Sequence, residues 1–411
     1  MKDHVDIECR HDARRNRMPS HRHVAMGFVM SAFGCSASEP AQIPHPGNDP
    51  IPSLSASAMQ PTAAATAVTS SAPIEPLPRV SGPLHLAASG PGPHLSWIMN
   101  VAGGPLLVTG NRNALLGWDS AAGAFVDRSD LSNGIDLENG GDIVGRMDGD
   151  LWFVKRTADD KAELYRRAPG KTWQRIASLD GHADIEPFVA DSILAKVSAH
   201  NGATHFEVFG DAPLPITPQF ASSSSPCRLD LQNGGFAAFA DGSVVLGSEC
   251  FAVWSPKTKK ATVTMGWGGA VVAIDRESAT SAIAFGETRV NLPVIAHGNG
   301  TQWSPVDTSK LGKMRIRNAG RTTDGTEWVI GEREGEEPRL FRLPPHATDW
   351  DRVVIGMGTS DPKEDEHTSV SMLTIVDGEL WIRAEHTVKI EGPYTYAIYT
   401  TRSTKKVLTT P

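Results

Sequence analysis

The stretch DGDLW, residues 148–152, recurs as DGTEW at 324–328 and as DGELW at 377–381, and DGSVV at 241–245 has the same form with Val in place of Trp. Asp-Gly between two apolar runs indicates a β-hairpin, because Gly takes the positive φ that tight turns need. Each copy is therefore predicted to be a strand, a turn and the next strand.

Three weaker copies fill the intervals between these turns. They are Gly103-Gly104 before PLLVTG, Asp191-Ser192 before ILAKV and Thr280-Ser281 before AIAF. The seven turns then stand 39 to 53 residues apart, which is the period of a four-stranded propeller blade. Residues 81–411 divide by seven into blades of about 47 residues. The sequence thus predicts an all-β fold, a β-propeller of seven four-stranded blades, with six or eight blades as the alternatives.

A second tryptophan forms another repeated feature, about twenty residues after the turn. Trp152 is followed by Trp173, Trp328 is followed by Trp350, and Trp303 stands in a similar string. An apolar strand and a polar turn precede the second Trp each time. We interpret these strings as the third and fourth strands of a blade, with the Trp filling space between adjacent blades.

These repeats resemble two propeller families. GKTW at 170–173 resembles the end of the Asp-box of BNR-type propellers, although Arg166 and Ala168 stand where the box has Ser and Asp. The DG-x-x-W turns resemble the blades of two-component-regulator and similar bacterial propellers. The resemblance implies a propeller that binds on the face formed by the links between blades and the second-to-third loops.

A further repeat, DLENGG at 136–141, returns 94 residues later as DLQNGG at 230–235. The copies start 12 and 11 residues before an Asp-Gly turn, so both are predicted to be links that open a blade, two blades apart, at the mouth of the central channel. The candidate ligand-binding residues in these links are Asp136, Glu138, Asn139, Asp230 and Asn233.

Two other interpretations of the links stay open. Asp and Asn are residues that cap turns, and paired glycines satisfy unusual φ values. Carboxylate and amide oxygens also suit Ca²⁺, although neither link has the regular acidic spacing of a calcium loop. We therefore expect no cofactor and no dedicated metal site, with calcium as the alternative.

Residues 18–38, MPSHRHVAMGFVMSAFGCSAS, have the form of an export signal. A polar start with Arg22 precedes an apolar run from Val24 to Gly34, which is too short for a bilayer span of about 20 residues and suits a signal peptide. Gly34 and Cys35 resemble the lipobox of bacterial lipoproteins, in which the Cys is lipidated. The resemblance implies a protein held at a membrane by a lipid anchor only.

Two alternatives to lipidation follow from the same segment. The lipobox pattern prefers Leu and a small residue where this chain has Ala32 and Phe33, so signal cleavage near Ala37 without a lipid is one alternative. A cytoplasmic protein with a disordered head is the other. Residues 1–17 fit no signal, and we expect translation to start at Met18.

Between the signal and the folded part lies a predicted disordered linker. Residues 36–78 hold 9 Pro, 9 Ala, 7 Ser and 3 Thr, which offer too little apolar surface to offset the entropy of ordering. The predicted organisation is an upstream extension at 1–17, a signal segment at 18–35, a linker at 36–80 and a propeller at 81–411.

The cysteine content bears on a possible disulfide, and the net charge bears on the kind of partner. Cys227 and Cys250 are the cysteines of the folded part, and in an oxidising compartment a disulfide between them would add about 3 kcal/mol. Two free thiols on neighbouring strands are the alternative.

The folded part has an acidic net charge. Residues 1–35 hold 6 of the 39 Lys and Arg and 4 of the 47 Asp and Glu, so the rest of the chain has 33 basic residues against 43 acidic ones. This acidic balance argues against a nucleic-acid partner.

The sequence lacks several well-known catalytic motifs. The chain has no H-E-x-x-H and no G-x-S-x-G, and GKT at 170–172 has Tyr165 where a phosphate loop needs its first Gly. We therefore expect a monomeric binding or scaffolding module at a bacterial envelope, lipid-anchored or secreted, with a protein or glycan partner. The alternative is a propeller hydrolase or lyase of envelope glycans, since two carboxylates across a channel suffice for acid–base hydrolysis.

Overall fold

The structure, a computed structural model, describes residues 79–91, 97–109, 114–137, 140–157, 159, 161–189, 191–210, 218–220, 229–265, 267, 269–355, 368–387 and 394–409. The predicted signal segment with Cys35, nearly all of the predicted linker, and Glu138, Asn139 and Cys227 lie outside these residues. None of the helices in the described ranges has the length and hydropathy that a membrane span requires.

Seven sheets of short, mostly antiparallel strands make up most of the described chain. Two strands come first, β1 (Arg79–Ser81) and β2 (His85–Pro91). Blade 1 follows, with β3 (Trp97–Met99), β4 (Leu106–Thr109), β5 (Ala114–Asp119) and β6 (Ala124–Asp127). After a short helix α1 (Ser129–Ser132), blade 2 contains β7 (Gly140–Gly145), β8 (Leu151–Arg156), β9 (Ala162–Arg167) and β10 (Gln174–Leu179).

The next three blades continue in chain order. Blade 3 has three described strands, β11 (His182–Pro187), β12 (Ile193–Ser198) and β13 (Thr204–Phe209). Blade 4 contains β14 (Gly235–Ala238), β15 (Val244–Gly247), β16 (Cys250–Ser255) and β17 (Lys260–Met265). Blade 5 contains β18 (Gly269–Arg276), β19 (Ala282–Thr288), β20 (Pro293–Gly298) and β21 (Trp303–Pro305).

A 3-10 turn at Ser309–Leu311 leads to the last two blades. Blade 6 contains β22 (Arg315–Arg321), β23 (Glu327–Glu332), β24 (Arg339–Leu343) and β25 (Asp351–Val354). Blade 7 contains β26 (Thr368–Val376), β27 (Glu379–Thr387) and β28 (Tyr394–Thr400), and a last strand β29 (Leu408–Thr409) follows. The prediction of an all-β propeller with seven blades is therefore confirmed.

The two ends of the described chain close the ring together. β2 pairs antiparallel with β28, so residues that precede blade 1 supply an outer strand of blade 7. β29 pairs parallel with β2 from the other side, and β1 pairs parallel with β25 at the edge of blade 6. The sequence analysis divided residues 81–411 into seven consecutive units and did not predict this exchange of strands.

All seven predicted turns join the first strand of a blade to its second strand. In DGTEW, Gly325 has a φ of 86° and the Asp324 carboxylate accepts a hydrogen bond from the Thr326 N–H at 3.0 Å. In blade 3, Asp191 takes the left-handed position itself, with a φ of 58°. Local turn chemistry thus explains why the repeat could be recognised before the ring was known.

The predicted position of the second tryptophan is also confirmed. Trp173 and Trp350 directly precede the fourth strands of blades 2 and 6, and both are buried among side chains of two adjacent blades. Trp173 Nε1 donates to the carbonyl of Leu131 at 2.6 Å, and Trp350 Nε1 donates to that of Asp307 at 2.9 Å. Each indole therefore anchors the link that leaves the preceding blade.

These two links share a pattern that the sequence analysis missed, DRSDL at 127–131 and DTSKL at 307–311. In both, the aspartate accepts a hydrogen bond from the serine N–H two residues later, at 2.8 and 2.9 Å. The leucine that ends each pattern is fully buried. The pattern therefore turns the chain and fills the space beneath the tryptophan.

One cysteine lies within the described residues. Cys250 begins β16, is fully buried and is disulfide-bonded. Pairing with Cys227 stays a prediction, because Cys227 lies outside the described residues.

Candidate functional site

A cavity of about 660 Å³ lies at the centre of the ring. Six of the seven blades contribute to its walls through their first strands, since first strands are innermost in a propeller. Trp97 and Met99 of blade 1, Ile143 of blade 2, and Met372 and Ile375 of blade 7 are among its apolar lining. A cavity of this volume falls in the usual range for ligand sites.

The cavity reaches the face on which the first-to-second strand turns lie. Asp191 of blade 3, Ser278 and Ala279 of blade 5, and Asp377 and Gly378 of blade 7 belong to these turns and line it. Because strands alternate in direction, the links between blades lie on the opposite face. We name the two faces the turn face and the link face.

Charged side chains from separate blades converge on this cavity. Its lining includes seven carboxylates, those of Asp142, Asp150, Glu186, Asp191, Asp275, Glu277 and Asp377. It also includes four guanidinium groups, those of Arg146, Arg276, Arg317 and Arg321. The formal charge of the lining is therefore negative, in keeping with the acidic balance of the chain.

Each of these arginines already has an acceptor within the protein. Arg276 Nε donates to the carbonyl of Ser278 at 2.9 Å. The other three form ion pairs with carboxylates that do not line the cavity, Arg146 with Asp148 at 3.2 Å, Arg317 with Glu332 at 2.6 Å and Arg321 with Glu327 at 3.4 Å. The positive groups of the lining are thus largely neutralised.

One partly buried cluster connects blades 5 and 6 beside the cavity. His297 Nδ1 lies 2.8 Å from Glu277 Oε1, and its Nε2 lies 2.9 Å from Glu327 Oε1. Burial of the ring lowers the pKa of His297, but hydrogen bonds and charge attraction from the two glutamates outweigh it and raise the pKa to about 9. His297 is therefore a cation at neutral pH, held between two carboxylates.

The residues predicted from the DLENGG and DLQNGG links lie elsewhere. Asp136 forms an ion pair with Lys155 at 2.9 Å. Asp230 accepts hydrogen bonds from the backbone N–H of Gln232 at 3.0 Å and from Asn233 Nδ2 at 3.0 Å. The copies do open blades 2 and 4, as predicted, but none of Asp136, Asp230 and Asn233 lines the cavity.

The second link is tied to the neighbouring blade by a buried lysine that the sequence analysis missed. Lys196 of β12 donates through Nζ to the carbonyl of Gly234 at 2.9 Å and lies 5.5 Å from the ring centre of Phe236. Its side chain is 6% exposed. This contact supports a turn-forming role for the DLQNGG link, whereas the predicted ligand-binding role stays a prediction.

A metal centre of protein ligands is not formed by the part of the chain that the structure describes. Within those residues no three His, Cys, Asp or Glu side chains are grouped closely enough to hold an ion.

Comparison with solved structures finds matches that cover about three quarters of this chain. YCF48 from Cyanidioschyzon merolae is 14% identical with a TM-score of 0.47, over 75% of this chain and 98% of that one. YCF48 bound to D1 peptide is 12% identical with a TM-score of 0.47, over 79% and 97%. The Cps50 (Swd1) β-propeller domain from Myceliophteria thermophila is 9% identical with a TM-score of 0.47, over 76% and 98%. No family model matches the sequence, and neither does any curated protein.

Proposed function

We propose that this protein is a non-enzymatic binding or scaffolding module at a bacterial cell envelope and that its central cavity holds part of the partner. The observation that carries the proposal is the cavity itself, which six blades line with apolar and charged side chains. Its walls belong to strands of a closed ring, so the site is formed before a partner arrives. Preorganisation of this kind lowers the cost of binding.

The state of the lining carboxylates favours binding over catalysis. Two of them are already engaged in ion pairs, Asp150 with Arg166 at 2.7 Å and Glu277 with His297. These two carboxylates are therefore committed to contacts within the protein. The alternative, a hydrolase or lyase of envelope glycans, needs two lining carboxylates placed on either side of a glycosidic bond.

The envelope location rests on the sequence of the N-terminal region. The signal-like segment, Cys35 and the Pro-rich linker together would tether a propeller to a membrane. If Cys35 is lipidated, Cys35→Ala should abolish incorporation of labelled fatty acid and move the full-length protein out of the membrane fraction. Unchanged fractionation of Cys35→Ala would refute the lipid anchor.

Crosslinking in cells tests the binding function. The full-length protein is compared with a cavity variant, Asp191→Asn/Asp377→Asn, and with a link variant, Asp136→Ala/Asp230→Ala, after melting curves have verified that both fold. A partner captured by the parent and the link variant but lost from the cavity variant supports the proposal.

If the partner is lost from the link variant alone, the binding surface lies on the link face. Failure of the parent to capture any partner, together with turnover of an envelope glycan by the purified protein, would overturn the proposal in favour of the glycan enzyme.

A further inference from the structure

We propose that the central cavity binds an aliphatic ammonium group, of the kind carried by a lysine side chain or by a polyamine. This inference rests on the proposed function, in which the cavity is the binding site, and it names the chemistry of the ligand.

The first observation is a buried acceptor in the cavity wall. Asn318 of β22 lines the cavity and is 3% exposed. Its Nδ2 donates to the carbonyl of Leu373 at 2.7 Å, which sets the orientation of the amide, since a flipped amide would bring two oxygens together. Among the described residues, none donates a hydrogen bond to its Oδ1. Buried acceptors of this kind are costly unless a donor satisfies them.

The second observation is the sign of the charge around that acceptor. Seven carboxylates line the cavity against four guanidinium groups. Three of the guanidinium groups are neutralised by carboxylates outside the lining, and two of the seven carboxylates, those of Asp150 and Glu277, are paired with cations outside it. With these partners included, ten carboxylates face six cations. A cation entering the cavity therefore meets a negative potential, whereas an anion would have to displace existing ion pairs.

Two carboxylates stand where the cavity meets solvent. Asp191 and Asp377 are exposed residues of first-to-second strand turns on the turn face, in blades 3 and 7. Their φ values, 58° and 50°, place both in the left-handed region. Asn tolerates that backbone conformation as well as Asp does, so the charge of either residue can be removed without changing the turn.

Apolar walls complete the match to an alkylammonium ion. Trp97, Met99, Phe188, Met372 and Ile375 line the same cavity. Such side chains accommodate a methylene chain while the ammonium group reaches polar acceptors, and an indole face attracts a cation. A hydrated metal ion would gain nothing from these walls, whereas a lysine side chain or a polyamine would bury its carbon chain against them.

Titration calorimetry on the full-length protein tests the inference with 1,5-diaminopentane as the ligand. Pentane-1,5-diol is the neutral control of the same length. We expect the diamine to bind, the diol to fail at the same concentrations, and added salt to weaken the binding. Equal binding of diamine and diol, or no binding of the diamine at millimolar concentration, overturns the inference.

Variants then place the binding in the cavity. Asp191→Asn/Asp377→Asn should weaken binding of the diamine by about tenfold, because two attractive charges are lost at the mouth. The matched control, Asp180→Asn/Asp241→Asn, removes the same charge from positions that do not line the cavity and should bind as the parent does. Equal weakening in both variants would reveal a non-specific surface effect and refute the site.

Asn318→Leu tests the buried acceptor, with its melting temperature as the check on folding. A folded variant should lose affinity for the diamine, and an unchanged affinity would exclude Asn318 from the site. Spermidine and a short acetylated peptide with one lysine distinguish the two natural sources of the ammonium group by which of them binds more tightly. A partner that is still captured in cells when all amines fail would refute this inference and leave the proposed function standing.

Discussion

Raising the pH should weaken the junction between blades 5 and 6 through a single side chain, His297. The folded protein holds its imidazolium between Glu277 and Glu327 and raises its pKa from 6.5 to about 9. The pKa of His297 is higher in the folded state than in the unfolded state. Its contribution to the unfolding free energy is therefore fully present below about pH 6.5 and is lost as the pH rises through about 9. The difference corresponds to about 3 kcal/mol of unfolding free energy. The ring is 15% exposed, so solvent screens this interaction only partly.

The size of the domain sets the expected change in melting temperature. Unfolding entropy is about 2 cal/mol/K per residue, so over residues 79–411 each kcal/mol shifts Tm by roughly 1.5 °C. The parent should therefore lose roughly 4 °C between pH 6.5 and 9.5 through His297. His297→Gln should melt at a lower temperature at pH 6.5 and lose this part of the pH dependence.

Melting curves followed by circular dichroism at closely spaced pH values measure the effect. The control is His205→Gln, since His205 is 52% exposed and pairs with Glu207 on an outer strand. The control should keep the slope of the parent. If His297→Gln and the parent lose the same number of degrees between pH 6.5 and 9.5, the ion-pair account of this junction is refuted.

Three further outcomes test the fold. Trp350→Ala should cost about 3 to 5 kcal/mol in denaturant unfolding, because the indole is fully buried and hydrogen-bonded, and the half-buried Trp303 should cost less when changed to Ala. Deleting residues 1–91 removes β1 and β2 and should lower Tm sharply or prevent folding, whereas deleting only residues 40–75 of the predicted linker should leave Tm unchanged. Cys250→Ser should cost about 3 kcal/mol, and peptide mapping should recover a Cys227–Cys250 crosslink; a different crosslink would contradict the predicted pair.

Short-range chemistry explains why the blades could be predicted from the sequence. The conformation of an Asp-Gly turn depends on contacts between residues a few positions apart, such as the hydrogen bond from the Thr326 N–H to the Asp324 carboxylate. Repeated turns at a constant spacing then imply repeated hairpins, and the positions of Trp173 and Trp350 follow from the same period. The seven-bladed architecture and the interblade tryptophans were therefore within reach of the amino-acid order alone.

The cavity and the ring closure depend on contacts between distant residues. β2 pairs with β28 across about 300 positions, and nothing in the local pattern of residues 85–91 distinguishes an outer strand of blade 7 from a first strand of blade 1. Asn318 and Asp377 meet the same cavity only because the ring brings first strands from six blades to one axis.

The sequence by itself therefore determined the hairpins, their period and the acidic balance, because those depend on local conformation and composition. Only the tertiary structure decided which strand closes the ring, which carboxylates line the same cavity and on which face the cavity opens. Those features arise from the packing of separate blades, whose relative positions no short segment encodes.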